Sequence, residues 1–288
     1  MSAAFPLADL ALSRRLERAE ALSNSRFVDA RARMSADRGA TWIEVAGARA
    51  MFDGPASPMT QTFGLGLFQP ATAADLDAIE AFYAERASPV FHEVSPLADA
   101  ALPALLSERG YRPFEFSSVL YQPIDRAGLQ ACATSDGPEP VAGVGDDLKV
   151  VLHLTVRSIE KGEVDLYARV FAQGWAEFGV GDLILELGRV NALVQDLTLF
   201  LAELDGTPIA AGALSVCDGV AHLAGASTIP SGRKQGAQLA LLDYRLRYAA
   251  AHGCDVALMA ALPGSGSQRN AERNGFRIAY TRIKWQKT

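Results

Sequence analysis

The chain has 288 residues, of which 49% are apolar and 21% charged, and this composition is typical of a globular protein with a substantial core. Its formal net charge of −6, with no long basic block, argues against general nucleic-acid binding, which depends on neutralising many phosphates. No apolar run approaches the roughly 20 residues that a membrane-spanning helix needs, so we expect no membrane partner.

The first 125 residues predict a mixture of helices and strands. Residues 7–34 carry the pattern of one amphipathic helix, or of two that divide near residues 23–25. Thr72 followed by Asp75 is a short form of the capping box, which marks a helix start. The other elements expected here are strands at 41–52, 60–68, 90–94 and 114–121 and a short helix at 97–109.

The second half predicts a further mixed α/β arrangement. Residues 126–147 are rich in Gly, Pro, Asp and Ala, so we expect a linker there. A strand at 148–156 and two amphipathic helices follow, with Asp182 as the expected N-cap of the second helix. The Asp-Gly pairs at 205–206 and 218–219 suit the positive φ angles of tight hairpins. The remaining expected elements are strands at 197–204, 208–216 and 220–229, a helix with Leu239, Leu242, Leu246 and Ala250 on one stripe, a strand at 255–260, a short helix, and a last strand from 276 to 285. The apolar residues of the last strand change face, so we expect either a bulge near Thr281 or burial on both faces.

Three cysteines, Cys132, Cys217 and Cys254, form an odd number without the spacing of metal ligands. A chain of this size does not need disulfides to be stable, so we expect a reducing cytoplasm as its location. No trio of His, Cys and carboxylate residues has metal-ligand spacing either, and we expect no metal site.

The loop between the third meander strand and the following helix has the chemistry of an anion site. At a helix start the backbone N–H groups lack intrahelical partners, and Gly236 allows a ligand to approach the chain closely. Arg233 and Lys234 add two positive charges, which favours a pyrophosphate over a carboxylate. A basic turn that caps an ordinary helix explains these residues equally well from the loop alone.

The surroundings of this loop resemble the GCN5-related N-acetyltransferase (GNAT) family. The resemblance rests on Thr228-Ile229-Pro230, on Arg233 three residues before Gly236, on the Leu-rich helix, and on residues 267–276 with their final Gly-Phe pair. It covers roughly residues 148–285 and implies that the loop binds the pyrophosphate of acetyl-coenzyme A (acetyl-CoA). Gln238 departs from the family pattern, which usually has Gly or Ala at this position.

The first half repeats the order of elements of the second half. Glu108-Arg109-Gly110-Tyr111 echoes Glu272-Arg273-Asn274-Gly275-Phe276, but residues 69–74 contain no Arg, Lys or Gly to attract a pyrophosphate. We therefore predict an α/β protein with a mixed sheet, made of two tandem GNAT-like folds. The expected parts are a degenerate structural or substrate-shaping domain at 1–125, a linker at 126–147, and a GNAT domain with the acetyl-CoA site at 148–288.

The resemblance also implies which residues contact the acyl donor. The pantetheine arm would bind backbone groups in the gap that opens beside the strand before the loop, and the loop and the last short helix would contact the rest. For Asn270 and Arg273 the alternative is that they cap and solvate that short helix and do not contact the coenzyme. The implied residues are Ala226, Ser227, Thr228, Ile229, Arg233, Lys234, Gln235, Gly236, Ala237, Gln238, Asn270 and Arg273.

Acetyl transfer to an amine needs a base for the amine and a donor for the developing oxyanion. His222 stands where several family members carry a Glu, and imidazole accepts protons near neutral pH; the alternative is a strand histidine satisfied by a neighbour. The backbone N–H of Thr228 is the expected oxyanion donor. Many members also have a Tyr as general acid, but this chain has Ala271 at that position.

The sequence therefore predicts an acetyl-CoA-dependent N-acetyltransferase that transfers directly to an amine, and a small molecule is the expected acceptor. The expected protein is a monomer or homodimer that binds neither nucleic acid nor membrane. One alternative is a non-catalytic acyl-CoA-binding sensor or scaffold. Another is an enzyme of the same fold that uses a longer acyl donor or a protein amine.

Overall fold

The structure is a computed structural model and describes residues 4–125 and 153–287. The predicted linker, Cys132 and the first residues of the strand predicted at 148–156 lie outside these ranges. No helix in the described part of the chain has the length and apolar character needed to cross a membrane.

The described residues form helices and strands in mixed α/β order. The helices are α1 (Leu10–Met34), α2 (Ala73–Ala84), α3 (Leu102–Glu108), α4 (Val164–Gln173), α5 (Gly181–Asn191), α6 (Ala237–Ala251) and α7 (Gly266–Arg273). The strands are β1 (Thr41–Val45), β2 (Ala48–Phe52), β3 (Gln61–Phe63), β4 (Val90–Val94), β5 (Arg112–Pro123), β6 (Leu154–Ser158), β7 (Leu197–Leu204), β8 (Thr207–Cys217), β9 (Val220–Thr228), β10 (Val256–Ala261) and β11 (Arg277–Lys287).

The chain divides into two compact units. The central unit contains residues 124–257, and the terminal unit contains residues 4–123 and 258–288. The first division falls close to the predicted domain boundary at 125. The second does not, because the last 31 residues (258 to 288) group with the N-terminal part of the chain rather than with the predicted second domain.

The reason for this grouping is the position of the last strand. In the terminal unit the strand order is β1-β2-β3-β4-β11-β5. Strand β11 is antiparallel to both β4 and β5, whereas β3 and β4 are parallel. Its register against β5 shifts between Ile278 and Tyr280 and again between Lys284 and Trp285, so the predicted irregularity exists, but on either side of Thr281.

Most predicted helices of the terminal unit are observed. Helix α2 begins at the predicted capping box, in which Asp75 N donates to Thr72 Oγ1 at 3.2 Å and Thr72 N donates to Asp75 Oδ2 at 2.8 Å. Helix α1 is continuous, and the division considered near residues 23–25 is absent. Ser23 and Ser25 are buried in that helix, so tertiary packing overrides their weak helix propensity.

Two strand predictions in this unit need correction. The strand predicted at 41–52 is the hairpin of β1 and β2, because Ala46 and Gly47 adopt φ angles of 51° and 79° and turn the chain. The strand predicted at 60–68 ends with β3, since Gly64 and Gly66 have φ angles of 81° and 71°. The helix predicted at 97–109 is the shorter α3.

The central unit contains the predicted antiparallel meander. Its strand order is β9-β8-β7-β6, and the turns at Asp205-Gly206 and Asp218-Gly219 have positive φ angles at both residues. Asp182 is not the N-cap of α5, because the helix already begins at Gly181 and Asp182 lies in its first turn. A core cluster joins α4 to the sheet and contains Tyr167, Val170, Phe171, Leu199, Leu201, Ala211 and Ala213.

Candidate functional site

The end of β9 is pressed against β8 before the chain turns into the loop. Pro230–Gly232 form a 3₁₀ turn, and Gly232 is buried. A Cβ on Gly232 would lie 2.7 Å from Ile209 Cβ, so only glycine permits this close contact. The turn therefore sets the direction in which the loop leaves the sheet.

The loop backbone has the geometry that an anion site requires. Lys234 and Gly236 adopt φ angles of 63° and 80°, and the exposed Gly236 is the N-cap of the 15-residue helix α6. Ala240 N donates to Gly236 O at 3.0 Å. In the first turn of α6, helix geometry leaves the N–H groups of residues 237–239 without intrahelical acceptors. These groups and the positive end of the helix dipole favour a bound anion.

Two side chains of the loop, Arg233 and Gln235, have partners within the protein. Arg233 forms a bidentate ion pair with Glu177, with Nη1 at 2.9 and 2.8 Å from the two carboxylate oxygens. Gln235 Nε2 donates to Ser231 O at 2.9 Å. Lys234 is exposed. Arg233 therefore holds a carboxylate at the position where the sequence predicts a phosphate contact.

Gln238, which departs from the family pattern, points back toward β9. Its Nε2 donates to Thr228 Oγ1 at 2.7 Å. This bond ties the first turn of α6 to the last residue of β9. Gln238 thus fixes the helix start relative to the strand instead of occupying the space in front of the loop.

The predicted pantetheine segment is packed against the end of α4. Ser227 Oγ donates to Phe171 O at 3.0 Å, and a Cβ on Gly174 would lie 2.5 Å from Ser227 Cβ. Ile229 N donates to Ile209 O at 2.9 Å. Because alternate residues of an antiparallel pair bond to the partner strand, Thr228 directs its N–H away from β8. This direction suits the predicted oxyanion donor.

Strand β9 contains a β-bulge that the sequence analysis did not predict. Ala211 pairs with Ser227 but Ala213 pairs with Ala224, so Gly225 and Ala226 lie opposite a single residue of β8. Gly225 has a φ angle of 58°, which glycine adopts without strain. A glycine inside a predicted strand is a signal that could have indicated the bulge.

Arg245 also escaped the sequence analysis. It lies on α6, is only 4% exposed, and bonds to carbonyl oxygens of β8 and β9 at the bulge. Burial lowers the pKa of Arg245 to about 10, so it stays protonated at neutral pH. The predicted stripe of α6 was wrong at Leu239, which is 52% exposed, whereas Leu241 and Arg245 are buried.

The two predicted catalytic groups do not lie together. His222 is buried and pairs with Ser215 across the ladder. It precedes Thr228 by six residues on the same strand, which corresponds to about 20 Å at roughly 3.3 Å per residue. His222 therefore cannot touch the atom that the Thr228 N–H would contact.

Asn270, Ala271 and Arg273 lie on α7 in the terminal unit. Asn274 Nδ2 donates to Asn270 O at 2.7 Å, and Arg273 is exposed. Both arrangements agree with the alternative in which these residues cap and solvate the helix. Ala271 is fully buried.

Solved structures share the fold of this chain. A GCN5-related N-acetyltransferase from Kribbella flavida aligns with a TM-score of 0.59 at 18% identity, covering 91% of this chain and 95% of that chain. A functionally unknown conserved protein from Staphylococcus epidermidis aligns with a TM-score of 0.56 at 10% identity, covering 85% and 92%. A tandem GNAT protein from the clavulanic acid biosynthesis pathway aligns with a TM-score of 0.51 at 12% identity, covering 82% and 73%. The predicted α/β fold of the GNAT type is confirmed.

Part of the sequence matches a family model. Residues 164–276 match the model of the Acetyltransferase (GNAT) family, so the chain contains a GNAT domain over these residues and the predicted resemblance is confirmed. A search of curated proteins found no match.

Proposed function

We propose that this protein is an acetyl-CoA-dependent N-acetyltransferase that transfers the acetyl group directly to the amine of a small molecule. The observation that carries the proposal is the loop backbone before α6. Its left-handed Lys234 and Gly236 leave the helix start open to a pyrophosphate, and the domain belongs to an acetyltransferase family.

The reaction needs few groups from the protein. The amine nitrogen attacks the thioester carbon, a C–N bond forms, the C–S bond breaks, and the proton lost by the amine ends on the coenzyme thiol. The N–H of Thr228 would donate to the carbonyl oxygen while negative charge develops there. His222 lies too far along β9 to accept the amine proton directly, so its proposed role as base requires a chain of water molecules.

The donor contacts proposed for the remaining residues follow the strand and the loop. Backbone groups from Ala226 to Ile229 would hold the pantetheine arm, and the segment from Arg233 to Gln238 would hold the pyrophosphate. Residues 1–125 are assigned a structural or substrate-shaping role, because residues 69–74, which end in the first turn of α2, contain no Arg, Lys or Gly.

Calorimetric titration of acetyl-CoA into the intact protein tests the proposal. We expect binding at one site and its loss in Gly236→Glu, whose carboxylate would repel the pyrophosphate. A matched control is Gly253→Glu at the other end of α6, since Gly253 has the same left-handed φ of 79° and open space around it. This control separates the effect of a negative charge at the loop from the effect of backbone strain. The Gly253→Glu variant should bind acetyl-CoA as tightly as the unchanged protein.

Acetyl transfer is then tested with a panel of small amines. The measured quantity is the free thiol released from acetyl-CoA in the presence of each amine. Failure of the unchanged protein to bind acetyl-CoA would contradict the proposal. Equal loss of binding in Gly253→Glu and Gly236→Glu would show that strain, not the anion site, explains the loss.

A non-catalytic acyl-CoA sensor is the second candidate, and two observations favour it. Ala271 replaces the family's general acid, and Glu177 neutralises Arg233. A sensor would bind acetyl-CoA at the same loop but release no thiol with any amine of the panel.

A further inference from the structure

Gln238 and Thr228 form a polar side-chain pair between the start of α6 and the end of β9. Gln238 Nε2 donates to Thr228 Oγ1 at 2.7 Å, and both residues are half-buried. Gln238 stands at the position where the family pattern has Gly or Ala, neither of which could make this bond. The pair therefore arises from the departure of this chain from the family pattern.

The pair keeps one hydrogen-bond donor and one acceptor that the protein does not use. A hydroxyl that accepts from an amide still has its own proton to donate, and the oxygen of the amide can still accept. Among the described residues, none accepts the hydroxyl proton of Thr228 and none donates to Gln238 Oε1. Because the bond from Gln238 polarises the hydroxyl, Thr228 becomes a stronger donor toward a ligand.

The pair joins the two ends of the proposed donor site. The N–H groups of residues 237–239 are the proposed pyrophosphate site, and Thr228 carries the N–H proposed to contact the thioester carbonyl. Ser227 directs its hydroxyl to Phe171 O on α4, and side chains alternate along a strand, so Thr228 directs its own toward α6. A ligand that reaches from the helix start to the N–H of Thr228 therefore passes beside the bond between Gln238 and Thr228.

The part of acetyl-CoA that spans these two ends is the pantetheine arm, an uncharged chain with amide and hydroxyl groups. Along an extended arm of this kind, carbonyl oxygens and N–H groups alternate between short apolar links. A hydroxyl donor beside an amide acceptor matches such neutral groups, whereas a charged pyrophosphate is matched by backbone N–H groups and cations. The chemistry of the pair thus fits the arm rather than the pyrophosphate.

We propose that the side chains of Thr228 and Gln238 bind the pantetheine arm of acetyl-CoA. The hydroxyl of Thr228 donates to an amide carbonyl of the arm, and Gln238 Oε1 accepts from an amide N–H. This inference rests on the proposed function. The pair takes no part in bond making or breaking; it fixes how far the arm extends beyond the pyrophosphate, and so where the thioester lies along β9.

The test compares two ligands that share the pyrophosphate but differ in the arm. Acetyl-CoA carries the pantetheine arm, whereas adenosine diphosphate (ADP) ends at the pyrophosphate. The dissociation constant of acetyl-CoA is measured by calorimetric titration, and that of ADP by its displacement of acetyl-CoA. We expect Gln238→Ala and Thr228→Val each to weaken acetyl-CoA binding by about three- to tenfold, the effect of losing a neutral hydrogen bond, and to leave ADP binding within about twofold.

Two further variants serve as controls. Thr228→Ser keeps the hydroxyl and should bind acetyl-CoA within about twofold of the unchanged protein. Thr198→Val removes another hydrogen bond between a strand and α6, because Thr198 Oγ1 lies 3.0 Å from the hydroxyl of Tyr248. This variant should bind both ligands like the unchanged protein. The double variant of Gln238→Ala and Thr228→Val should lose less than the product of the two single effects, since the two side chains act as a unit.

The possible results separate the two proposals. Failure of the unchanged protein to bind acetyl-CoA contradicts the proposed function. Unchanged acetyl-CoA binding in Gln238→Ala and Thr228→Val overturns the inference alone. Equal weakening of acetyl-CoA and ADP also overturns it, because the bond then only holds the helix start in place, and so does acetyl-CoA binding that ADP cannot displace. If Thr228→Val does not fold, Gln238→Ala decides the question, because it introduces a residue that the family pattern already has.

Discussion

At the scale of single residues, the net positive charge at the loop before α6 is smaller than the sequence of the loop indicates. Glu177 binds Arg233 with two contacts of 2.8 and 2.9 Å, and both side chains are exposed. An exposed pair of this kind contributes little to stability, about 0–1 kcal/mol. The pair matters instead because a pyrophosphate at the loop would compete with Glu177 for the same guanidinium.

Glu177→Gln should therefore strengthen the binding of acetyl-CoA. We expect the dissociation constant to fall by about two- to fivefold, which corresponds to the free energy of one exposed ion pair. The measurement is calorimetric titration at low ionic strength, where such pairs are strongest. Asp165→Asn is the control, because Asp165 forms an exposed pair with Arg189 in the same unit. Weaker binding in Glu177→Gln would show that this carboxylate supports the site.

The site was only partly readable from the sequence, and the reason differs from residue to residue. The open helix start at Gly236 is a local feature, so the order of Arg, Lys and Gly was sufficient to predict it. Arg245 was not predicted, because the partners that make a buried guanidinium tolerable come from β8 and β9. Gly225 was a local signal for the bulge, but the residue of β8 that lies opposite it depends on the register between the two strands.

At the scale of elements, the end of α4 controls the position of β9. Gly174 allows the helix end to lie directly on the strand, since a Cβ there would come within 2.5 Å of Ser227 Cβ and 3.0 Å of Thr228 N. These are backbone and near-backbone atoms that cannot rotate away. The contact therefore fixes the distance between α4 and the residues proposed to hold the acyl donor.

Gly174→Ala should destabilise the protein by about 1–3 kcal/mol, the usual cost of an overpacked contact, and should weaken acetyl-CoA binding. Urea unfolding measures the free energy, and calorimetry measures the binding. Gly181→Ala is the control at the start of α5, where a Cβ would meet nothing within 4 Å. Equal stability of the two variants would contradict the close packing of α4 on β9.

The presence of a helix or strand was easier to predict than the residues at which it begins and ends. The Asp-Gly turns of the meander and the capping box at Thr72 carry their own local signals. The hairpin of β1 and β2 was read as one strand, because its turn at Ala46 requires a positive φ angle in a residue that rarely adopts one. Gly47 was the local signal of this turn, but a single glycine also occurs inside strands.

At the scale of the whole molecule, the terminal unit contains a titratable group with no hydrogen-bond partner. His92 on β4 is fully buried, and neither ring nitrogen bonds to any described residue. Burial lowers the pKa of His92 to about 3, against an opposing effect of the Glu80 carboxylate. The ring is therefore neutral in the folded protein and must be uncharged for the core around Tyr111 and Trp285 to form.

This histidine predicts an acid-sensitive terminal unit. In the unfolded chain His92 becomes protonated below about pH 6.5, whereas in the folded chain it stays neutral down to about pH 3. The stability of the folded state therefore falls as the pH is lowered from 6.5 to 3. The slope should reach about 1.4 kcal/mol per pH unit. His92→Phe should flatten the pH dependence of the urea midpoint between pH 6.5 and about 4.5. A fall in stability between pH 6.5 and 4.5 that survives in His92→Phe would contradict this explanation, because Glu80, whose pKa is lowered to about 2, adds its own loss of stability only below about pH 4.5.

The position of β11 could not be predicted, because it pairs with strands that lie more than 150 residues earlier in the chain. It also determines the order in which the molecule can assemble during synthesis. The central unit is continuous in sequence and is complete once residue 257 has been made. The terminal unit cannot be completed before β11 is made, because β11 lies between β4 and β5 in the sheet. The interval from residue 123 to residue 277 is 154 residues, which takes about 8–30 s at ribosomal rates of 5–20 residues per second. Two unpaired strand edges stay available to other chains during that time, so the nascent protein passes through a period of vulnerability to aggregation that ends only when its last strand is released.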